Sequence, residues 1–314
     1  KGESGNREAV VITGSKTDKD RGIVALAGAS HVTLEALTVK GTSKDVSAAV
    51  SISDGSSYTT IRNCYLELPT PATDIWNDGG DVIYTHSSTE VGTPTINHTR
   101  CTVVGGKIGI RLNGGQGNVN YPTGVGAVVR GNTVVSGRSK AIYVTDVTDF
   151  SIEGNSVLAD APNNKYDYQG FDGRRLVGPG RISNNRFALS NGSISLQGIC
   201  LRNDLLEGAA SAPIVVVNNL ITIVNAGRGG SYGISLGDKN GTGKHIIVAH
   251  NTVVIGAGNT AGYALVLGSK GEGVKVQNNL FVNLASVGYA LNAYGTDSPE
   301  GILLGKNAFW SPRE

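Results

Sequence analysis

The chain lacks much that would place it in a common class. Its 314 residues include no methionine, only three cysteines, 6% aromatic side chains and 17% charged ones. No apolar stretch approaches the length that a membrane-spanning helix needs, so membrane insertion is not expected. Secretory leader features and an initiator methionine are also absent, and the sequence reads as a mature or trimmed fragment. Three cysteines at different places in the pattern give no zinc spacing and no evident disulfide, so buried free thiols are expected. Twenty-seven basic and 25 acidic residues leave a formal net charge of +2, too small to imply nucleic acid. Any anionic partner must then be met by local clustering. The 3.6-residue periodicity of helices is nearly missing as well.

What is present is glycine, 45 residues of it, among short runs of β-branched side chains. That is the profile of many short strands joined by tight turns. An asparagine recurs in one phrase: Asn132 in Val-Arg-Gly-Asn-Thr-Val, then Asn155, Asn185, Asn219, Asn251, Asn279 and Asn307, at gaps of 23, 30, 34, 32, 28 and 28. Toward the N-terminus the frame persists with Cys101, Cys64 and Leu37 in the asparagine's place. A fixed phrase at this period marks a solenoid. Asn, Cys and Leu share a column only where it faces inward at a bend, where Asn tolerates left-handed backbone and its amides stack into a ladder. Cys64 and Cys101 become neighbours on adjacent coils.

Each repeat reads as three strands, one before the bend (Thr59 to Ile61, Ile214 to Val217), one after it (Thr133 to Val135, Leu220 to Val224) and one beyond a Gly-rich turn (Gly109 to Leu112, Gly233 to Leu236). Strands recurring in one order pair in parallel with their equivalents a rung away, about 4.8 Å along the axis. The fold expected is all-β, a right-handed parallel β-helix of about ten coils forming one domain over 1–314, beyond which an N-terminal start and a C-terminal cap could lie.

The phrases Tyr232-Gly-Ile-Ser-Leu, His250-Asn-Thr-Val-Val, Val276-Gln-Asn-Asn-Leu-Phe-Val-Asn and Gly288-Tyr-Ala-Leu resemble the pectin-lyase-like superfamily, and especially β-helix repeat regions of secreted bacterial surface proteins and polysaccharide lyases. The resemblance implies an extracellular, cell-surface or periplasmic protein. It spans lyases, hydrolases, epimerases, tailspikes and adhesins, so it does not choose a function.

Several motifs fail on context. Gly233-Ile-Ser-Leu-Gly237 matches a nucleophile elbow, but no helix follows. Gly241-Thr-Gly-Lys-His lacks the upstream glycine of a P-loop. The five histidines, at 31, 86, 98, 245 and 250, show no metal spacing, and for His31, His245 and His250 rung packing is the plainer reading. The clustered aspartates and Gly-His-Gly phrase of polygalacturonase-like hydrolases are missing.

Function is expected where the coil is interrupted. Two turns are long, 68–80 and 158–173, on coils three rungs apart, and together they would wall a groove. Lys107, Arg138 and Lys140 would form its rim; Trp76, Tyr166, Tyr168 and Phe171 its walls. The outward column of the third strand adds Tyr84, Arg111, Tyr143 and either Arg174 or Arg175. Arginine and lysine neutralise uronate carboxylates and aromatic rings stack on sugar faces, so the surface suits an acidic polysaccharide. Cleavage by β-elimination would use Lys140 or Tyr143 as base, with Arg111 and Arg175 clamping the carboxylate. Asp74, Asp78 and Asp81 could bridge a calcium ion to the uronate. The other readings are a cation–π ladder that merely covers backbone, and a non-catalytic adhesin or spacer. A monomer is expected, since the trimerisation segments of a tailspike are absent.

Overall fold

The computed structural model describes residues 6–18, 21–70, 80–85, 96–114, 124–136, 138–159, 167–190, 194–202, 206–224, 226, 229–237, 241, 243–293 and 300–312. Among these there is no helix, and the strands coil as a parallel β-solenoid. Contacts divide the chain into two compact units, Lys1–Ser156 and Val157–Glu314.

In the first unit, Val11–Gly14, Thr38–Gly41, Tyr65–Leu68, Thr102–Gly105 and Thr133–Ser136 stack in parallel on one face. A second face carries Gly22–Ala27, Ala48–Ser53, Asp81–Thr85, Ile108–Asn113 and the start of Lys140–Glu153. A third is built from Thr33–Glu35, Thr59–Arg62, Ile96–Thr99, Ala127–Arg130 and the end of that last strand. The second unit repeats the plan. Arg186–Leu189, Leu220–Ile223, Thr252–Ile255, Leu280–Asn283 and Ala308–Trp310 form its first face, and Tyr168–Ser183 supplies both its second and third. The three-strand repeat expected from the sequence is therefore present.

Alternation of side chains fills the interior. Val39, Leu66, Val103 and Val134 lie in register and fully buried in one unit, as do Phe187, Ile221, Val253 and Phe281 in the other. Each such side chain contributes about 1.5–3 kcal/mol of burial. His98 stands in a comparable column between Ile61 and Val129, with neither ring nitrogen hydrogen-bonded, and burial pushes it down to about 3. Its place is core packing.

The asparagine ladder is real, but its geometry corrects the sequence reading. Left-handed backbone falls on the residue before each ladder position: Asn63, Arg100, Gly131, Gly154, Asn184, Asn218, His250, Asn278 and Lys306. The corner itself demands positive φ, and glycine and asparagine meet it at least cost. The ladder Asn turns inward. Asn251 Oδ1 accepts from the backbone N–H and Nδ2 of Asn219 at 3.0 and 2.9 Å, while its own Nδ2 donates to Val216 O and Ala249 O. Cys64 and Cys101 substitute by donating Sγ–H to the corresponding pair of carbonyls, Leu34 and Arg62 in one case, Ile61 and Thr99 in the other. Both are buried free thiols, as is Cys200.

Candidate functional site

The outward column of the first unit is in the register the sequence implied: Tyr84 pairs with Arg111 and Arg111 with Tyr143. Strand alternation at 4.8 Å per rung makes these side chains neighbours. The Arg111 guanidinium carbon lies 5.4 Å from the Tyr84 ring centroid and 5.7 Å from that of Tyr143. One arginine is thus sandwiched between two tyrosines. Lys140 extends the stack, its Nζ 4.3 Å from the Tyr143 centroid.

Behind the arginine lies Asp81, whose side chain is 8% exposed against 27% for Arg111. Arg111 Nε stands 2.6 Å from Asp81 Oδ2, yet its N–H is not aligned on that oxygen, so charge and proximity hold the pair rather than a directed hydrogen bond. Burial pushes the Asp81 carboxyl up to about 6, opposed by Arg111, Lys107, the Ile108 amide and Lys140 in that order. Among the described residues, three cations thus act on the Asp81 carboxylate.

Other expected site residues fall elsewhere. Asp81, expected as a calcium ligand, is nearly buried and paired with Arg111; Asp74 and Asp78 lie outside the described residues. So do Trp76 and Tyr166, and with them the facing walls of the expected groove. Tyr168 and Phe171 are completely buried in the strand Tyr168–Ser183, where Tyr168 pairs with Leu196 and Phe171 with Ile199. They pack the interior and offer no platform. Arg138 is 8% exposed, so it is not a rim residue, while Lys107 is half-buried. Arg174 and Arg175 miss the column: its place in the second unit, in register with Cys200, Ser235, Val266 and Asn292, is held by Asp172.

That aspartate belongs to an arrangement the sequence reading missed. Its side chain is fully buried, with Arg202 Nε 3.2 Å from Oδ1 and Arg174 Nε 3.4 Å from Oδ2. Beside the two arginines opens a cavity of about 590 Å³ whose wall includes Asp167, Ser195, Gln197, Tyr232 and Ser235. Burial raises Asp167 above the usual carboxylate range, and Arg202 opposes that rise. The missed signal was alignment: Gly170-Phe-Asp-Gly occupies the frame of Gly198-Ile-Cys-Leu and Gly233-Ile-Ser-Leu. A Cβ on Gly170 would meet the Phe187 ring at 2.6 Å, and one on Gly198 would meet Ile221 at 2.5 Å, so the glycine column lets the two faces close together.

No protein-family profile matches the sequence, and no curated protein matches it. Two solved structures are similar in coil architecture. One is the A-module of the Azotobacter vinelandii mannuronan C-5 epimerase AlgE6, at 13% identity over 97% of this chain and 89% of that one, with a TM-score of 0.41. The other is the Agl-KA catalytic domain, at 11% identity over 87% of this chain and 58% of that one, with a TM-score of 0.32. At these values the likeness carries no argument about chemistry.

Proposed function

We propose that this protein is a secreted, carbohydrate-active member of the pectin-lyase-like β-helices that binds an acidic, uronate-bearing polysaccharide at the Tyr84–Arg111–Tyr143 column. The observation that carries this reading is the stacking of Arg111 between Tyr84 and Tyr143, with Lys140 beside Tyr143 and Asp81 2.6 Å from the Arg111 Nε. Sandwiched rings fix the plane of the guanidinium, and Asp81 occupies its Nε side. The remaining N–H groups are left to meet a carboxylate edge-on, the geometry in which arginine binds one best.

The chemistry open to such a site is removal of the proton at C5 of the uronate. With the carboxylate neutralised by Arg111, the electron pair left at C5 is delocalised into it. Lys140 in its neutral form, or Tyr143 as phenolate, would take the proton. Expulsion of the C4 oxygen then forms the C4–C5 double bond, and the departing oxygen takes a proton from solvent. A second reading has a specific observation in its favour: Arg111 already has both faces covered and a counter-ion beside it, as a purely structural cation–π ladder would.

The experiment is incubation with pectate, alginate and glycosaminoglycans, following absorbance of unsaturated uronates, deuterium uptake at C5 and binding by affinity electrophoresis. Binding that weakens at least tenfold in Arg111→Ala supports the proposal. Unsaturated product or C5 exchange lost in Lys140→Ala or Tyr143→Phe supports the catalytic step. Binding without either makes the site a non-catalytic receptor, and no binding to any acidic polymer leaves the structural ladder.

A further inference from the structure

We infer that the second unit holds a separate glycan site, and that its ligand is a neutral oligosaccharide, bound in the cavity beside Asp172 and continuing along a row of three tyrosines. Two observations carry this. The first is charge balance. Among the described residues, Arg174 and Arg202 are met by Asp172, which both contact, and by Asp167 in the cavity wall. Two positive groups thus face two negative ones among the described residues. An anionic sugar would gain from the arginines what it loses to the carboxylates; a neutral one meets alternating donors and acceptors suited to its hydroxyls. Gln197, Ser235 and the Tyr232 hydroxyl extend that set. Ser195, also in the wall, is buried and its hydroxyl has no hydrogen-bond partner within the protein.

The second observation is the column next to Asp172 on the same sheet. Gln169, Gln197, Tyr232, Tyr263 and Tyr289 pair in register on five successive rungs. The first two are joined by a hydrogen bond of 3.1 Å. Tyr232 and Tyr263 stack at 5.5 Å with ring planes 17° apart, and Tyr289 is 52% exposed. One column thus passes from a pair of amides, with Gln197 in the cavity wall, to phenol rings of which Tyr289 is the exposed one. Tyr232 and Tyr263 cover each other's inner faces, so the row presents ring edges and hydroxyls that hydrogen-bond a sugar. Gly230 helps to shape the junction, since a Cβ there would lie 2.9 Å from the Tyr232 hydroxyl. The cavity's 590 Å³ is within the range of small-ligand sites, enough for more than one sugar ring.

The test titrates the protein with cellohexaose, mannohexaose, xylohexaose and laminarihexaose, and with hexagalacturonate, by calorimetry at low and high salt. The expected result is binding of at least one neutral hexaose, independent of salt and unchanged in Arg111→Ala. Tyr289→Ala should weaken it about tenfold, the value of a lost aromatic contact. Ser235→Trp, which fills the cavity from a half-buried position, should abolish it, as should Arg202→Ala. If Arg202→Ala does not fold, the two surface variants decide. The inference is overturned if no neutral hexaose binds, if binding is lost in Arg111→Ala, or if it survives both Tyr289→Ala and Ser235→Trp. It is equally overturned if hexagalacturonate competes for the same variant-sensitive site with higher affinity. Loss of acidic-polymer binding in Arg111→Ala does not bear on it, so the two proposals fail separately.

Discussion

Truncating Asn219 to alanine tests the ladder as a source of stability. Asn219 Oδ1 accepts from the backbone N–H and Nδ2 of Asn185 at 3.0 and 2.9 Å. Its Nδ2 donates to Ile182 O and to Asn251 Oδ1, each at 2.9 Å. Alanine removes all four bonds inside a wall that water does not reach, since Asn185, Asn219 and Asn251 are each 2% exposed or less. Two donors and one carbonyl lose a partner outright, whereas Asn251 Oδ1 keeps the Asn219 backbone N–H. At about 1–3 kcal/mol for each orphaned buried group, and less for the carbonyl with its second lone pair, the loss is about 3–6 kcal/mol. Asn307 makes the same bonds to Asn279 and Val276 from a half-buried position. Water replaces them in part, and Asn307→Ala should cost about 1–2 kcal/mol. Asn219→Cys should fall between wild type and Asn219→Ala. As Cys64 and Cys101 show, a thiol recovers the carbonyl contacts but cannot accept from two donors at once. Urea unfolding followed by circular dichroism measures all three. Equal costs for Asn219→Ala and Asn307→Ala, or a cysteine no better than alanine, would refute the reasoning.

The remaining predictions concern single buried groups. His98→Leu should stabilise the fold, because it removes two unpartnered nitrogens from an aliphatic column; unfolding midpoints report it, and a destabilised variant would reveal a role for the imidazole. His98 and Asp81 also act in opposite directions with pH. The lowered value of His98, about 3, means its stabilisation is complete above the ordinary histidine range near 6.5 and is lost as pH falls toward 3. The raised value of Asp81, about 6, means its contribution is complete below 3.8 and is lost as pH rises through 6. In His98→Leu, stability between pH 4 and pH 6 should therefore decline with rising pH more steeply than in wild type, and Asp81→Asn should flatten that decline; equilibrium unfolding across this range decides. Protonation of Asp81 also frees Arg111 from its counter-ion, so oligogalacturonate affinity should rise as pH falls through 6, while Asp81→Asn binds tightly throughout. Gly233→Ala should cost about 1–3 kcal/mol or more, since the new Cβ would lie 2.2 Å from Val253 Cγ1 and 2.4 Å from Ala264 O, and thermal melts measure it.

The repeat phrase determined the coil because its signal is local and recurrent. Seven bends carry Asn at one position, most of them with glycine or asparagine just before it, and the strand frame follows by counting. That frame was enough to align Tyr84, Arg111 and Tyr143, which the structure places on successive rungs. The bend's left-handed residue was misassigned by one position, because asparagine suits both places and composition alone does not separate them. Burial was harder to read. Tyr168 and Phe171 looked like loop aromatics until the strand Tyr168–Ser183 turned them inward, and Arg138 looked like a rim residue until its neighbours covered it.

What the amino-acid sequence determined by itself, then, was the all-β class, the three-strand repeat, the inward ladder and the outward aromatic–arginine column. Each of these depends on spacing along the chain. Only the tertiary structure decided which charges share a space: Asp81 beneath Arg111 with two lysines, and Asp172 between Arg174 and Arg202 beside a cavity. Asp81 and Arg111, like Asp172 and Arg202, stand 30 positions apart, and their charges carry no periodic signal; whether a carboxylate becomes a metal ligand or a buried counter-ion depends on the solvent and cations that the fold puts around it.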